Sequence, residues 1–337
     1  MKRLFLSFLL LTIAAPFFHT VTAQEKPWMQ YITPSGYSQA GFSSDFNFNN
    51  TFYIKRVRVA LSGDLYKSDT YGKFEYKIQA DLANSPKLVD FWVKYTVRPY
   101  FGVQFGQFKT ALSIENSEYA PLKLEMIDYS LLVQRFVRMS TSDLSGISAT
   151  GREMGIQFYG RFLSMSDGHY LLRYEAGLFN GNGINKTDDD KSKDFIGRLM
   201  VYPMKDLSVA VSYWKRLYSP AMAAVNYPFD RLGVGIAYDS KYAYARTEGM
   251  FGHTEGKRSA AAYVTAGYKV TPTINFGARY DYFALNACEP LLAQQYVTVG
   301  ASWHPFKRLR LQLNYMYKRE ADQSVNHLVN FMSSIIL

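Results

Sequence analysis

Cysteine is almost absent from this sequence of 337 residues, in which Cys288 is the single one. A chain with one cysteine forms no intramolecular disulfide and offers no cluster of thiolates to a metal ion. This composition excludes a small secreted module held together by disulfides. We expect neither a metal site nor a cofactor.

Long apolar runs are missing beyond the N-terminus, although a transmembrane helix needs about 20 consecutive apolar residues. At the N-terminus, Lys2 and Arg3 precede a short apolar stretch, and Val21-Thr22-Ala23 fits the small residues of a signal-peptidase site. This order predicts that residues 1–23 are a cleaved signal peptide. Residues 24–337 are then expected to form one exported domain.

Acidic residues are fewer than basic ones, with 28 Asp and Glu against 38 Lys and Arg, and the formal net charge is +10. A basic chain often has a nucleic acid as its partner. Export argues against that partner here, because nucleic acid is not the expected ligand outside the cytoplasm. The excess of positive charge therefore needs another explanation.

Aromatic residues are abundant at 16% of the chain, yet the mean hydropathy is only −0.17. The apolar residues must therefore be finely mixed with polar ones. The mixing has a period of two residues, as in β-strands. In the segment 89–98, for example, Val89, Phe91 and Val93 alternate with Asp90, Trp92 and Lys94.

The alternating segments are about ten residues long, which suits tilted strands that cross a membrane. Several carry aromatic residues at the ends of their apolar faces, which indicates girdles at the lipid–water boundary. We predict an all-β fold, a transmembrane antiparallel β-barrel of about sixteen strands with a water-filled lumen. The predicted strands cover residues 36–43, 52–66, 71–82, 88–98, 101–109, 152–162, 169–179, 194–202, 206–216, 231–239, 241–250, 259–270, 273–283, 294–303, 308–319 and 325–337.

One connection, residues 110–151, is far longer than the others and is called the long loop below. Segments of this length within a compact fold are usually functional. We expect the long loop to fold inward and constrict the pore.

The chain resembles the phosphate-selective porin O and P family of Gram-negative outer membranes. The motifs that carry the resemblance occur in the order Lys55-Arg56-Val57-Arg58, Leu61-Ser62-Gly63, Phe74-Glu75-Tyr76-Lys77, Gly106-Gln107-Phe108-Lys109, Glu115-Asn116, Met126-Ile127-Asp128-Tyr129-Ser130-Leu131 and Gly151-Arg152-Glu153-Met154-Gly155-Ile156-Gln157. The resemblance implies a sixteen-stranded porin, usually a homotrimer, with an inward-folded loop and a lumen lined by basic residues. Implied partners are outer-membrane lipids, the barrel-assembly machinery and small anionic or neutral solutes.

Basic side chains lining the lumen would favour anions over cations. Alternation places a set of basic residues on polar faces, and we predict that these line the pore: Arg56, Arg58, Lys73, Lys77, Lys94, Arg198, Arg246, Arg279 and Arg310. Lys123, Arg135 and Arg138 of the long loop are candidates for the constriction. Acidic residues on the same faces and in the loop keep the expected anion preference, phosphate included, mild.

Two other functions remain open for such a barrel. A phospholipase-like enzyme would need a serine nucleophile and a histidine base, and it would have to bring together Ser302 and His327 from the predicted strands 294–303 and 325–337. The barrel could instead display its surface loops for adhesion or assembly. The sequence favours a porin that is not an enzyme.

Overall fold

The computed structural model describes residues 31–46, 49–137, 151–181, 183–188, 193–217, 230–254 and 257–337. Sixteen strands form one closed antiparallel sheet in which every strand pairs with its neighbours along the chain, and β1 pairs with β16. The predicted transmembrane antiparallel barrel of about sixteen strands is confirmed. The strands are β1 Thr33–Ser44, β2 Asn50–Ser68, β3 Gly72–Asp81, β4 Lys87–Arg98, β5 Phe101–Lys109, β6 Arg152–Ser164, β7 Tyr170–Phe179, β8 Lys193–Met204, β9 Leu207–Leu217, β10 Asp230–Asp239, β11 Ala243–Thr254, β12 Lys257–Lys269, β13 Ile274–Ala284, β14 Gln294–Phe306, β15 Leu309–Arg319 and β16 Val325–Ile336.

The observed strands match the predicted segments one for one. The largest difference is the end of β11, which was predicted at residue 250 and lies at Thr254. The predicted signal peptide, residues 1–23, lies outside the described residues and stays a prediction. Among the described residues, no helix is both long and apolar enough to cross a membrane.

The two faces of the barrel wall follow the period of two in the sequence. On β2, for example, Val59 and Leu61 are exposed on the outer face, whereas Arg56 and Arg58 are buried on the lumenal face. Large apolar side chains are exposed in the same way on strands all around the barrel. Such a continuous apolar outer surface is typical of a wall that contacts lipid.

The connections make the two ends of the barrel different. One end carries short turns, such as those at residues 69–71, 99–100 and 205–206, and the other carries the long loop. Near the short-turn end, outer-face tyrosines donate hydrogen bonds to backbone carbonyls of neighbouring segments, for example Tyr95 Oη to Tyr71 O at 2.6 Å and Tyr174 Oη to Tyr100 O at 3.2 Å. A tyrosine placed there has its ring in the apolar band and its hydroxyl at the polar boundary.

The long loop enters the barrel immediately after β5. It contains a short helix, α1, at Ile114–Glu118 and a π-helical turn at Leu132–Val137. Its residues Leu112, Leu124, Leu131 and Phe136 are buried in the main apolar cluster of the interior. The inward folding expected of the long loop is therefore present up to residue 137, and residues 138–150 lie outside the described part.

Candidate functional site

The first turn of α1 is attached to the barrel wall by one carboxylate. Glu248 of β11 accepts hydrogen bonds from Ser113 Oγ at 3.0 Å, from the Ile114 amide at 2.6 Å and from the Glu115 amide at 2.9 Å. Tyr263 Oη of β12 donates a fourth, at 2.6 Å. The free amides of a helix N-terminus need such acceptors, so Glu248 serves as a cap supplied by a different strand.

Two of the predicted pore-lining arginines lie beneath the long loop. Arg246 Nη2 forms an ion pair with Glu125 Oε2 at 2.9 Å. Arg279 Nε pairs with Asp281 Oδ2 at 2.8 Å, and its Nη1 donates to the Asp128 carbonyl at 2.7 Å. Both arginines are on the predicted lumenal face, but they contact the long loop instead of the water of the channel.

Arg310 of β15 is a third arginine of this kind. Its guanidinium donates to the carbonyls of Leu122 at 2.7 Å and Leu124 at 2.6 Å. Next to it, Asn314 Oδ1 accepts from the Ile127 amide at 2.8 Å. Alternation assigned the lumenal face to Arg246, Arg279 and Arg310, and the covering loop is the reason that they do not line open space.

A cavity of about 300 Å³ lies on the opposite side of the long loop, between the loop and the wall formed by β1–β6, and we call it the lumenal cavity. Five basic residues and two acidic residues belong to its lining. The full lining is Tyr37, Arg58, Lys77, Gln79, Asp90, Trp92, Gln104, Phe108, Lys109, Ser117, Glu118, Ala120, Pro121, Lys123 and Arg152.

The wall cations of the lumenal cavity are paired with carboxylates. Asp90 lies between Lys77 Nζ at 3.0 Å and Arg152 Nε at 2.5 Å, so two positive charges share one negative charge. Arg58 Nε pairs with Asp81 Oδ2 at 3.1 Å. The sequence placed Arg58 and Lys77 on the lumenal face and did not include Arg152 among the candidates.

The loop side of the cavity contributes Lys123, which is exposed. No hydrogen bond or ion pair joins its ammonium group to another residue in the described part of the chain. Lys109 instead turns toward the loop, where its Nζ donates to Tyr129 Oη at 3.1 Å. Of the two loop candidates within the described part of the chain, Lys123 and Arg135, Lys123 is the one that lines the cavity.

Glu118, at the end of α1, joins the long loop to the wall at the edge of the cavity. Its carboxylate pairs with Arg173 of β7 at 3.0 Å and with Arg198 of β8 at 2.6 Å. Burial alone would raise the pKa of the Glu118 carboxyl, but the two guanidinium groups outweigh burial and lower it to about 2. Arg198, a predicted pore-lining residue, is consequently a buried attachment point of the loop.

The other predicted wall residues are separate from the lumenal cavity. Arg56 is buried and donates to Gln39 Oε1 at 2.8 Å. Lys73 pairs with Asp64 and Glu75, each at 2.9 Å.

Lys94 lies over an aromatic ring, with its ammonium nitrogen 4.3 Å from the centroid of Tyr159. Arg135 belongs to the π-helical turn at Leu132–Val137. Arg138 lies outside the described residues, and its expected position at the constriction stays a prediction.

The serine and histidine considered for a phospholipase are not brought together. Ser302 is buried on the lumenal face, where its hydroxyl donates to Asn275 Oδ1 at 2.9 Å. His327 is exposed on the outer face, where its Nδ1 lies 2.7 Å from the Tyr315 hydroxyl oxygen. The hypothesis of a Ser302–His327 pair is wrong, because strand alternation puts the two side chains on opposite faces of the wall.

Sequence reasoning missed three contributions to this site. Tyr37 and Trp92 line the lumenal cavity; alternation puts Trp92 on the polar face with Asp90 and Lys94, but only basic residues were chosen as candidates. Glu248 is one of the acidic residues on the polar faces, and its role as a cap was not predicted. Alternation along a strand predicts which face such a side chain is on, whereas the residues that it contacts depend on the path of the long loop.

Comparison with known proteins places this architecture among the porins. The family model described as phosphate-selective porin O and P matches residues 35–257. A search of curated protein sequences gives no match.

Solved structures share the fold at low sequence identity. The anion-selective porin from Comamonas acidovorans has a TM-score of 0.68 at 13% identity, over 91% of this chain and 99% of that one. The trimer form of OmpT from Vibrio cholerae has a TM-score of 0.65 at 12% identity, over 91% and 99%. The outer membrane channel DcaP of Acinetobacter baumannii has a TM-score of 0.61 at 14% identity, over 91% and 97%.

Proposed function

Because the chain belongs to the phosphate-selective porin O and P family, we propose that it forms a water-filled channel in the outer membrane. Small hydrophilic solutes diffuse through it passively, and anions pass somewhat more readily than cations. The observation that carries this proposal is the lumenal cavity, in which five basic residues face two acidic ones.

The charge of the cavity lining supports the anion preference. Positive charge in a narrow passage with low-dielectric walls attracts anions and repels cations. Ion pairing reduces the effect, since Asp90 is shared by Lys77 and Arg152 and Arg58 is matched by Asp81. The remaining excess resides in the shared Asp90 group, in Lys123 and in Lys109, which turns toward the loop, so the preference is mild.

The width of the passage is set by the long loop, which occupies the side of the lumen next to β11–β15. Its attachments to Glu248, Arg246, Arg279 and Arg310 are buried hydrogen bonds and ion pairs. A loop held in this way narrows the channel permanently instead of opening and closing it. Short turns face the periplasm in outer-membrane barrels, so the long loop enters from the cell exterior.

The proposal extends to the assembly and surroundings of the barrel. The apolar outer face contacts outer-membrane lipids, and the chain reaches the membrane through its predicted signal peptide and the barrel-assembly machinery. We propose a homotrimer, a state that is named for the Vibrio cholerae structure of similar fold. Cross-linking of the purified protein in detergent should give a trimer band, and a monomer alone would contradict this part of the proposal.

Planar bilayer recording tests the channel function. The purified protein should produce stepwise conductances in KCl, and its reversal potential in a KCl gradient should have the sign of modest anion selectivity. Inorganic phosphate, the anion in the family description, should be titrated as a blocker in the same recordings. Absence of any conducting step from folded protein would refute the channel, and a cation-selective reversal potential would refute the role given to the basic lining.

A further inference from the structure

One side of the lumenal cavity is aromatic. Tyr37 from β1, Trp92 from β4 and Phe108 from β5 belong to its lining, together with the loop residues Ala120 and Pro121. Trp92 packs against the apolar cluster of the interior and is only partly buried. Phe108 and Tyr37 are buried, but Trp92 presents part of its ring to the cavity, and a flat apolar solute would stack on that exposed part.

Tyr37 also carries a buried hydroxyl that lacks a hydrogen-bond partner among the described residues. Tyr37 is 8% exposed, and the Arg58 guanidinium carbon lies 6.0 Å from its ring centroid. Buried polar atoms are nearly always hydrogen-bonded, so an exception in a cavity wall calls for an acceptor. The oxygen of an anion would be such an acceptor.

Positive charge lies beside the aromatic wall. Lys77 and Arg152 share the single carboxylate of Asp90, which leaves one formal positive charge in that group. Lys123 adds another from the loop side. The same small space therefore offers cations, a hydroxyl donor and aromatic faces.

We infer that the lumenal cavity is a binding subsite for aromatic carboxylates, which combine an anionic head with a flat apolar ring. The head binds between Tyr37 Oη, Lys123 and the Lys77–Arg152 pair, and the ring stacks on Trp92. A volume of about 300 Å³ is at the lower end of ordinary ligand pockets, about 300–1,000 Å³, which suits one ring. This inference rests on the proposed channel function and assigns a solute class to it.

Blocking of single-channel current measures the subsite directly. Benzoate, acetate and inorganic phosphate are titrated separately into KCl solutions bathing the purified wild-type channel. We expect benzoate to reduce the current at concentrations roughly two- to ten-fold lower than acetate, the range that an aromatic contact contributes. Benzoate should also block more strongly than inorganic phosphate.

Two variants test separately the contact with the aromatic ring of the solute and the contact with its carboxylate. Trp92→Leu should bring the benzoate block to the level of acetate and leave the acetate block unchanged. Tyr37→Phe should weaken the block by both carboxylates about ten-fold, since a hydrogen bond to a charged group is lost. Trp303→Leu, which removes a tryptophan exposed on the outer face, is the matched control and should behave as wild type.

Failure of this inference is distinguishable from failure of the channel itself. Equal block by benzoate and acetate in a conducting wild-type channel, or stronger block by phosphate, would overturn the aromatic subsite and leave the channel intact. A folded protein that never conducts would overturn the channel. If Trp92→Leu does not fold, an unchanged carboxylate block in Tyr37→Phe still refutes the assigned head position.

Discussion

Replacing Glu248 by alanine should detach the beginning of α1 from the barrel wall. The Glu248 carboxylate accepts from Ser113 Oγ and from the amides of Ile114 and Glu115 at 2.6–3.0 Å. All three donors are buried. An alanine cannot accept these hydrogen bonds, and the donors cannot reach bulk water without movement of the loop.

The size of the effect follows from the number of donors. A buried donor without a partner costs about 1–3 kcal/mol, so three donors cost about 3–9 kcal/mol if α1 stays in place. Since 1.4 kcal/mol is about a factor of ten in an equilibrium constant, the population with α1 released should rise by at least about a hundred-fold. The contacts of Arg246, Arg279 and Arg310 with the rest of the loop remain, so release should be partial.

Single-channel recording detects this release. Glu248→Ala should show larger current noise and transient openings of higher conductance than wild type, and Glu248→Gln should lie between them because its amide oxygen still accepts. Glu289→Ala is the control, since that glutamate is exposed beyond the barrel wall. If Glu248→Ala folds and conducts with wild-type conductance and noise, the capping role assigned to Glu248 is refuted.

Other predictions concern charge, pH and backbone conformation. Lys123→Glu lowers the formal charge of the cavity lining from +3 to +1 and should shift the reversal potential in the direction of cation selectivity. Lys241→Glu, in a short turn, should leave the reversal potential unchanged. An unchanged potential for Lys123→Glu would argue against a pore-facing Lys123. The pKa of Glu118 is lowered from 4.5 to about 2, so the ion pairs that attach the long loop to Arg173 and Arg198 are fully present above about pH 4.5 and are lost as the pH falls through 2. Current noise should therefore be constant from pH 8 to 5 and rise below pH 3. A rise near pH 5 would contradict this. Gly106 has a φ of +125°, and a Cβ added there would lie 2.1 Å from Phe91 O. Gly106→Ala should therefore cost at least about 1–3 kcal/mol of stability and lower the temperature at which the heated barrel changes from its folded to its unfolded mobility in gel electrophoresis. Gly249→Ala, whose Cβ meets open space, should leave that temperature unchanged.

The sequence determined the barrel wall well because each strand carries its own evidence. Alternation on β2 fixes the directions of Arg56, Arg58 and Val59 without knowledge of any other strand, since a side chain one residue along a strand must face the other way. The prediction of about sixteen strands is a count of the alternating segments, and closure follows because an open sheet edge would leave backbone groups unpaired in lipid. No part of this reasoning needs a contact between distant residues.

The interior could not be predicted in the same way. The long loop contains neither alternation nor helical periodicity, so nothing local indicates that Glu115 meets Arg246 or that Arg310 is covered by Leu122 and Leu124. These contacts join residues more than a hundred positions apart. Alternation alone gives Arg246, Arg279 and Arg310 a face of the wall, whereas the loop groups that they contact depend on the path of the long loop.

Pairing of the first strand with the last has a consequence for how the barrel is made. β1 and β16 are joined along eight residue pairs from Tyr37–Ile336 to Ser44–Val329, with a side-chain bond from Gln39 to Ser334 at 3.0 Å. Until β16 is in place, both strands bordering the gap expose unpaired backbone groups, which hydrocarbon does not tolerate. Insertion strand by strand in order of synthesis would leave that seam open in the membrane. Pairing of β16 with β1 is therefore the step that removes both exposed edges, and the barrel becomes compatible with hydrocarbon only when its last strand is in place.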